Sequence, residues 1–389
     1  MPEGDKLPRV VKGDQKFALD REAYRKRFYE RFYDPAFERV SGELEKVFEV
    51  AWEGYHGYRK SPRTQKAGPE FADPEQKLPI EWLETRKQIK EAQARQQDPK
   101  SPCRFLVVHG SARTDQSCPG EISKTYRLTK IAREAIAAAG KGAQGAASHE
   151  IDFLDLSRLT AEYGAVIYPC KACVSTAQPL CHWPCSCYPN HAIGQVNDIM
   201  NEIYPRWVAA HGVMLLCPVN WYQAPSVLKL MMDRLVCADG GNPDPTTTRG
   251  KNPALAKALE LKGWHYPRHL AGRAFSVVVH ADAAGAETLR RMLVDWLKDI
   301  RMIPAGPFAG LDRYLGYYQP YATSHDDLDK DTAFQQEVRN TALELVERVR
   351  QIRSGNTAGL TKGLRIRGKS DLFARRRASI FAPMEPITR

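Results

Sequence analysis

From about residue 103 to 353, short apolar runs alternate with stretches whose apolar residues recur every three or four positions. The runs at 104–109, 212–217 and 274–280 are rich in Val, Leu, Phe and Met. Such continuous apolar strands are buried on both faces, as in parallel sheets. A further strand is predicted at 150–156, and helices at 123–139, 193–210, 225–235, 287–300 and 331–353. Strands separated by amphipathic helices predict an α/β fold with a doubly wound parallel sheet, and ligands in such folds sit at the carboxyl ends of the strands.

The flanks have a different texture. Residues 1–102 are charged and broken by prolines, and their apolar positions follow helical spacing. Tyr24, Phe28 and Phe32 form one stripe, Val40, Leu44, Phe48 and Trp52 a second, and Trp82, Ile89 and Ala92 a third. This predicts a helical extension with no sheet of its own, whose stripes must dock on the core domain or on a partner subunit. The segment 354–389 is Gly-rich, basic and aperiodic, and predicts a flexible, solvated tail, with a docking tail for an acidic partner as the competing reading because Leu372, Phe373, Ile380 and Phe381 interrupt the charges.

Composition narrows the setting. No apolar run approaches the roughly 18–20 residues needed to span a membrane. The N-terminus carries no apolar stretch of the secretory kind. Nine cysteines in 389 residues argue against a disulfide scaffold and for a reducing, cytoplasmic setting. The net charge of +11 suits a protein with anionic ligands. It could also suit nucleic acid, but basic and acidic residues are mixed along the N-terminal helices rather than segregated on one face, which counts against that reading.

Two strand ends carry candidate chemistry. After the first strand comes GSARTDQSCPGEISKTYR, a polar loop leading into a helix. A helix N-terminus presents free N–H groups and the positive end of its dipole to an anion. Ser111, Ser117, Ser123 and Thr125 add hydroxyls, and Arg113 and Lys124 add positive charge. The loop holds neither G-x-G-x-x-G nor G-x-x-x-x-G-K-[ST], so a dinucleotide or Walker-type site is not indicated. After the strand at 212–217 come Pro218, Val219, Asn220, Trp221, Tyr222 and Gln223. Aromatic and amide groups together suit a flat heterocycle, which needs its faces covered and its edge hydrogen-bonded.

G-S-x-R followed by Ser-Lys-Thr, with P-V-x-W-Y ahead of a helix ending K-x-x-x-D-R-L, resembles the NADPH-dependent FMN reductase family of flavodoxin-like proteins. The resemblance covers about residues 103–350. It implies a flavodoxin-like five-stranded sheet and bound FMN. The phosphate would lie on Ser111, Arg113, Ser117, Ser123, Lys124 and Thr125, and the ring against residues 218–223. A third loop, opening at His280, would close the other side of the ring or contact a partner subunit. The insertion at 116–122 departs from the family pattern. The implied activity is FMN-dependent NAD(P)H oxidoreduction with a small acceptor such as a flavin or quinone. The resemblance also implies a homo-oligomer, dimer or tetramer, with the N-terminal helices as a wrapping arm. No catalytic triad is expected, because hydride transfer needs orientation rather than an acid–base pair. His109 and His280, each ending a strand, are expected to be hydrogen-bonded structural groups.

Between the second strand and the next helix, Cys170, Cys173, Cys181, Cys185 and Cys187 crowd into eighteen residues. C-x2-C-x7-C-x3-C supplies enough thiolates for an iron–sulfur cluster or zinc, and similar loops in related proteins hold reduced thiols only. The cluster reading carries an alternative function, an iron–sulfur flavoprotein passing electrons to a protein partner.

Overall fold

A computed structural model describes residues 7–11, 19–57, 63–113, 121–141, 149–162, 164–187 and 198–355. The segment after 355, where the basic tail is expected, lies outside the described residues, as does Ser117.

The extension contains α1 (Arg21–Tyr29) and α2 (Ser41–His56), then a short antiparallel pair, β1 (Thr64–Lys66) with β2 (Lys77–Pro79), then α3 (Ile80–Gln97). The β1–β2 pair corrects the expectation of an extension without strands. It was invisible in the sequence because each strand has three residues, mostly exposed. Tyr24, Phe28 and Phe48 are buried against one another, so the first two stripes form a small aromatic core. The third stripe does something else: Ile89 and Ala92 join the main core, and Trp82 Nε1 donates to the Pro184 carbonyl at 2.8 Å. α3 therefore docks on the chain's own core domain.

That domain runs β3 (Cys103–His109), α4 (Lys124–Lys141), β4 (His149–Asp155), α5 (Arg158–Ala161), α6 (Met200–Ala209), β5 (Gly212–Pro218), α7 (Ser226–Arg234), α8 (Pro253–Lys262), β6 (Ala274–Ala281), α9 (Ala286–Asp299), β7 (Ile303–Pro304), β8 (Gly310–Tyr314), α10 (Asp326–Lys330) and α11 (Thr332–Arg353). The sheet is wholly parallel in the order β4-β3-β5-β6-β7, with β8 also on β6. This is the flavodoxin order, with the reversal of direction between β3 and β5. The expected five strands become six because β7 and β8 share one edge of β6. β7 pairs with Ala274 and Phe275, and β8 with Val277 to Ala281.

β5 and β6 are buried almost along their whole length. Leu106, Val108, Val213, Leu215, Val277 and Val279 pack with α3, α6, α7 and α9 on one face. The alternate residues turn to the opposite face. There Gly212 lets α11 approach: a Cβ would come within 2.8 Å of Val349 Cγ2. Each large apolar side chain removed from water in this way contributes about 1.5–3 kcal/mol. Among the described residues no helix is long and apolar enough to cross a membrane.

Candidate functional site

In an all-parallel sheet the strands end on one side. Five connections gather there, following β3, β4, β5, β6 and β8. The β3–β5 junction lies at their centre.

β3 ends at His109 and hands over to Gly110, whose N–H donates to the Leu216 carbonyl at 2.8 Å. A Cβ at Gly110 would stand 3.0 Å from Cys217 Cβ and 3.1 Å from Leu216 O, so a side chain there would crowd the end of β5 by a few tenths of an ångström. The Ser111 hydroxyl accepts from Arg113 N–H at 3.1 Å. The Ser123 hydroxyl donates to the Arg113 carbonyl at 3.0 Å and accepts from Tyr126 N–H at 3.1 Å. Ser123 thus caps α4 and draws the two ends of the loop together. Ser111 and Ser123 are buried beside this closure, and the Arg113 guanidinium reaches the Glu121 carbonyl at 3.3 Å.

Lys124 and Thr125 point elsewhere. Lys124 Nζ is buried and donates to Leu315 O at 3.2 Å and Ser324 Oγ at 3.3 Å, with an Asp282 carboxylate oxygen 3.8 Å away. Burial pulls its ammonium below the usual lysine range against the attraction of Asp282. Thr125 Oγ1 lies 2.7 Å from His280 Nε2, with both groups buried. Burial pushes His280 down to about 3, with Lys124 adding to the effect, so the imidazole is neutral near pH 7. These two residues fasten the first turn of α4 to the loops after β6 and β8. His109 is fully enclosed, with Nδ1 2.9 Å from Asp155 Oδ1. Burial raises the Asp155 carboxyl, but the hydrogen bonds from His109 and Ser157 outweigh it and leave Asp155 below its ordinary range.

β5 ends in a tight turn. Asn220 N–H donates to Gln223 O at 2.9 Å and Gln223 N–H returns to Asn220 O at 3.0 Å. Trp221 and Tyr222 occupy the two central positions at φ 47° and 66°. Turns with two positive φ values favour Asn and Gly, so two aromatic residues here hold backbone strain of the sort found at ligand sites. Trp221 is 93% exposed and Tyr222 63%. Val219 N–H donates to His280 O at 2.9 Å, and Gly285, at φ 117°, lies against Val219 and Tyr222. Pro218 and Val219 are partly buried. The strand-end loops of β5 and β6 are thereby in contact.

Sequence reasoning did not predict the loop after β8, which opens on the same side of the sheet. Tyr317 and Tyr318 are exposed, their rings 4.2 Å apart, and Tyr318 N–H donates to Asp282 O at 3.1 Å. A G-Y-Y-x-P-Y run was the available signal.

The cysteine loop belongs to the connection after β4. Cys170 Sγ accepts from Ala172 N–H at 3.3 Å, and Cys173 and Cys187 place their sulfurs 3.3 Å apart. Lys251 Nζ is 3.7 Å from Cys173 Sγ. The Cys187 hydrogen bond, against burial and with Lys251, brings Cys173 down to about 6. Cys181 is buried, and burial pushes its thiol up. Among the described residues no three His, Cys, Asp or Glu side chains are placed to hold a metal ion. The expectation of an iron–sulfur cluster or zinc on Cys170, Cys173, Cys181, Cys185 and Cys187 is therefore not supported. Cys187 bonds both Cys173 and Cys185, and the Lys251 ammonium faces this group of thiols.

Residues 103–314, more than half of the chain, match the model of the family described as NADPH-dependent FMN reductase. The protein belongs to the NADPH-dependent FMN reductase family and is an FMN-dependent oxidoreductase of that class. No curated protein matches it. Among solved structures it is similar to RosB with a bound 8-demethyl-8-formylriboflavin 5′-phosphate intermediate, at 12% identity over 74% of this chain and 92% of that one, TM-score 0.42. It is similar to an oxidoreductase from Corynebacterium diphtheriae, at 16% identity over 64% and 98%, TM-score 0.36. An azoreductase from Bacillus anthracis str. Sterne matches at 12% identity over 62% and 98%, TM-score 0.34.

Proposed function

We propose that the chain holds FMN across the ends of β3 and β5 and uses it to pass electrons from NAD(P)H to a small acceptor such as a flavin or quinone. The observation that carries this reading is the pairing of two unlike loops at adjacent strand ends. One is a serine-bearing loop closed on a helix N-terminus, and the other is a strained turn that displays two aromatic side chains to solvent. The residues present suit a mononucleotide on those grounds.

Ser111, Arg113 and Ser123 would hold the phosphate, together with Ser117 from outside the described residues. Lys124 and Thr125 would act indirectly, by fixing the helix whose N–H groups face the anion. Pro218, Val219, Asn220 and Gln223 would border the ring, and Trp221 and Tyr222 would cover it. His280, held neutral and bonded to Thr125, would support the ring through its carbonyl contact with Val219 rather than touch it. Bound FMN supplies the chemistry, accepting a hydride from a nicotinamide and releasing two electrons onward. The protein's task is to orient the two rings and exclude water from between them. Catalysis by a side-chain acid–base pair is not part of this reading.

In the test, the purified chain carries flavin that is released as FMN, and it oxidises NAD(P)H with a quinone or free flavin as acceptor. Arg113→Ala loses a charged hydrogen bond worth about 1.5–3 kcal/mol, so its FMN affinity falls roughly 10- to 150-fold while its riboflavin affinity holds. Equal loss for both ligands would place the phosphate elsewhere.

We also propose a homo-oligomer in which α1 and α2 meet a second copy, because Val47 and Val50 leave α2 exposed at 53% and 57%. Light scattering of the full chain gives a dimer or tetramer, which Val50→Glu reduces toward monomer. A monomer in the unsubstituted chain would end this proposal.

A further inference from the structure

The cysteine loop holds a second reactive arrangement that the flavin chemistry does not use. C-x-x-C would pair Cys170 with Cys173, but the fold does not. Ala172 sits at φ 49° between them, and Cys170 Sγ is engaged by its N–H. Cys173 Sγ instead faces Cys187 Sγ at 3.3 Å, across fourteen residues of sequence. Both thiols are half-buried, as are Cys170 and Cys185, whereas Cys103, Cys181, Cys217 and Cys237 are enclosed. One ammonium stands beside the pair. Lys251 Nζ is held by the Leu180 carbonyl at 2.6 Å and lies 3.7 Å from Cys173 Sγ. A thiol next to a fixed cation is the better nucleophile of two neighbours, because the cation favours the thiolate. A second thiol in van der Waals contact with it is placed to resolve a mixed disulfide.

We propose that Cys173 and Cys187 form a redox-active dithiol that reduces low-molecular-weight disulfides, with Cys173 attacking and Cys187 resolving. The Cys173 thiolate, its proton released to solvent, attacks one sulfur of the disulfide. A Cys173–sulfur bond forms, the small molecule's S–S bond breaks, and one thiolate leaves. The Cys187 sulfur then attacks Cys173, its proton passing to the solvent, and the second thiolate leaves. The two cysteines lose two electrons and two protons to become a disulfide, and the small molecule gains both as two thiols.

Oxidised glutathione is the probe, applied to the reduced full-length protein with its flavin, followed by alkylation and peptide mapping. Cys173 and Cys187 emerge cross-linked, while Cys187→Ser traps glutathione on Cys173. Should Cys187→Ser fold poorly, the unsubstituted chain's map and a lysine series decide. Lys251→Met slows alkylation of reduced Cys173 about tenfold, and Lys251→Arg restores it. Four results would overturn the proposal: both thiols alkylated freely after the oxidant, a cross-link to any other cysteine, a Lys251→Met variant alkylated at the original rate, or bound zinc or iron whose removal is needed before either thiol reacts.

Discussion

The ends of β3 and β5 and the cysteine loop both look chemically loaded in the sequence, and the fold treats them in opposite ways. At the strand ends, aromatic groups face outward: Trp221 and Tyr222 are exposed on a turn whose backbone neither residue favours. Around the cysteine loop, polar groups turn inward and satisfy one another. Asp198 and Arg234 form an ion pair at 2.5 Å with side chains 2% and 1% exposed. His182 bonds Ser186 at 2.5 Å and Thr248 at 3.1 Å, and Gln178 Nε2 donates to Gly240 O at 2.8 Å. Strain with exposure marks a place kept ready for a ligand, whereas burial with internal pairing marks structure.

The contrast can be broken from either side. The largest effect belongs to the enclosed region. Asp198→Asn leaves the Arg234 charge buried without its counter-ion, which costs about 3–5 kcal/mol. Denaturant melts should show that loss, and FMN retention in the folded fraction should be unchanged. A loss below 1 kcal/mol would mean that water already reaches the pair. The smaller effect belongs to the turn and has a mixed sign. Trp221→Gly or Tyr222→Gly relieves a left-handed residue, so stability rises by about 1 kcal/mol. FMN retention falls in the same variant, because an aromatic cover is gone. A variant that loses both stability and flavin would make the turn a packing element like the Asp198–Arg234 pair.

Much of this was legible before any coordinates. The buried strands announced themselves because a strand covered on both faces admits few polar side chains, and the predicted helix ends fell within a residue or two except where the chain at 191–197 lies outside the described residues. α8 was missed although Asn252-Pro253 is a helix-start signal. Asn252 Oδ1 does accept from Ala254 and Leu255 N–H. β8 was missed for a physical reason: GLDRY sits on an edge, partly exposed at every position, and carries no apolar run. In the candidate site, proximity in sequence grouped Lys124 and Thr125 with the serines. Their partners, Leu315, Ser324 and His280, lie 155–200 residues away, where no local pattern reaches. Lys251 beside Cys173 is of the same kind, 78 residues distant.

The divided edge of the sheet has a consequence for how these molecules behave when crowded. Between Pro304 and Gly310 five residues bow out opposite Ser276 alone, so neither edge piece exceeds five residues. Arg290 and Glu337 clasp Asp312 and Arg313 along the longer piece. A foreign strand needs an uninterrupted row of donors and acceptors to add to a sheet, and this rim offers two short, interrupted and charged ones. The sheet ends there by its own geometry, and the chain is protected against runaway stacking on that side without a capping helix.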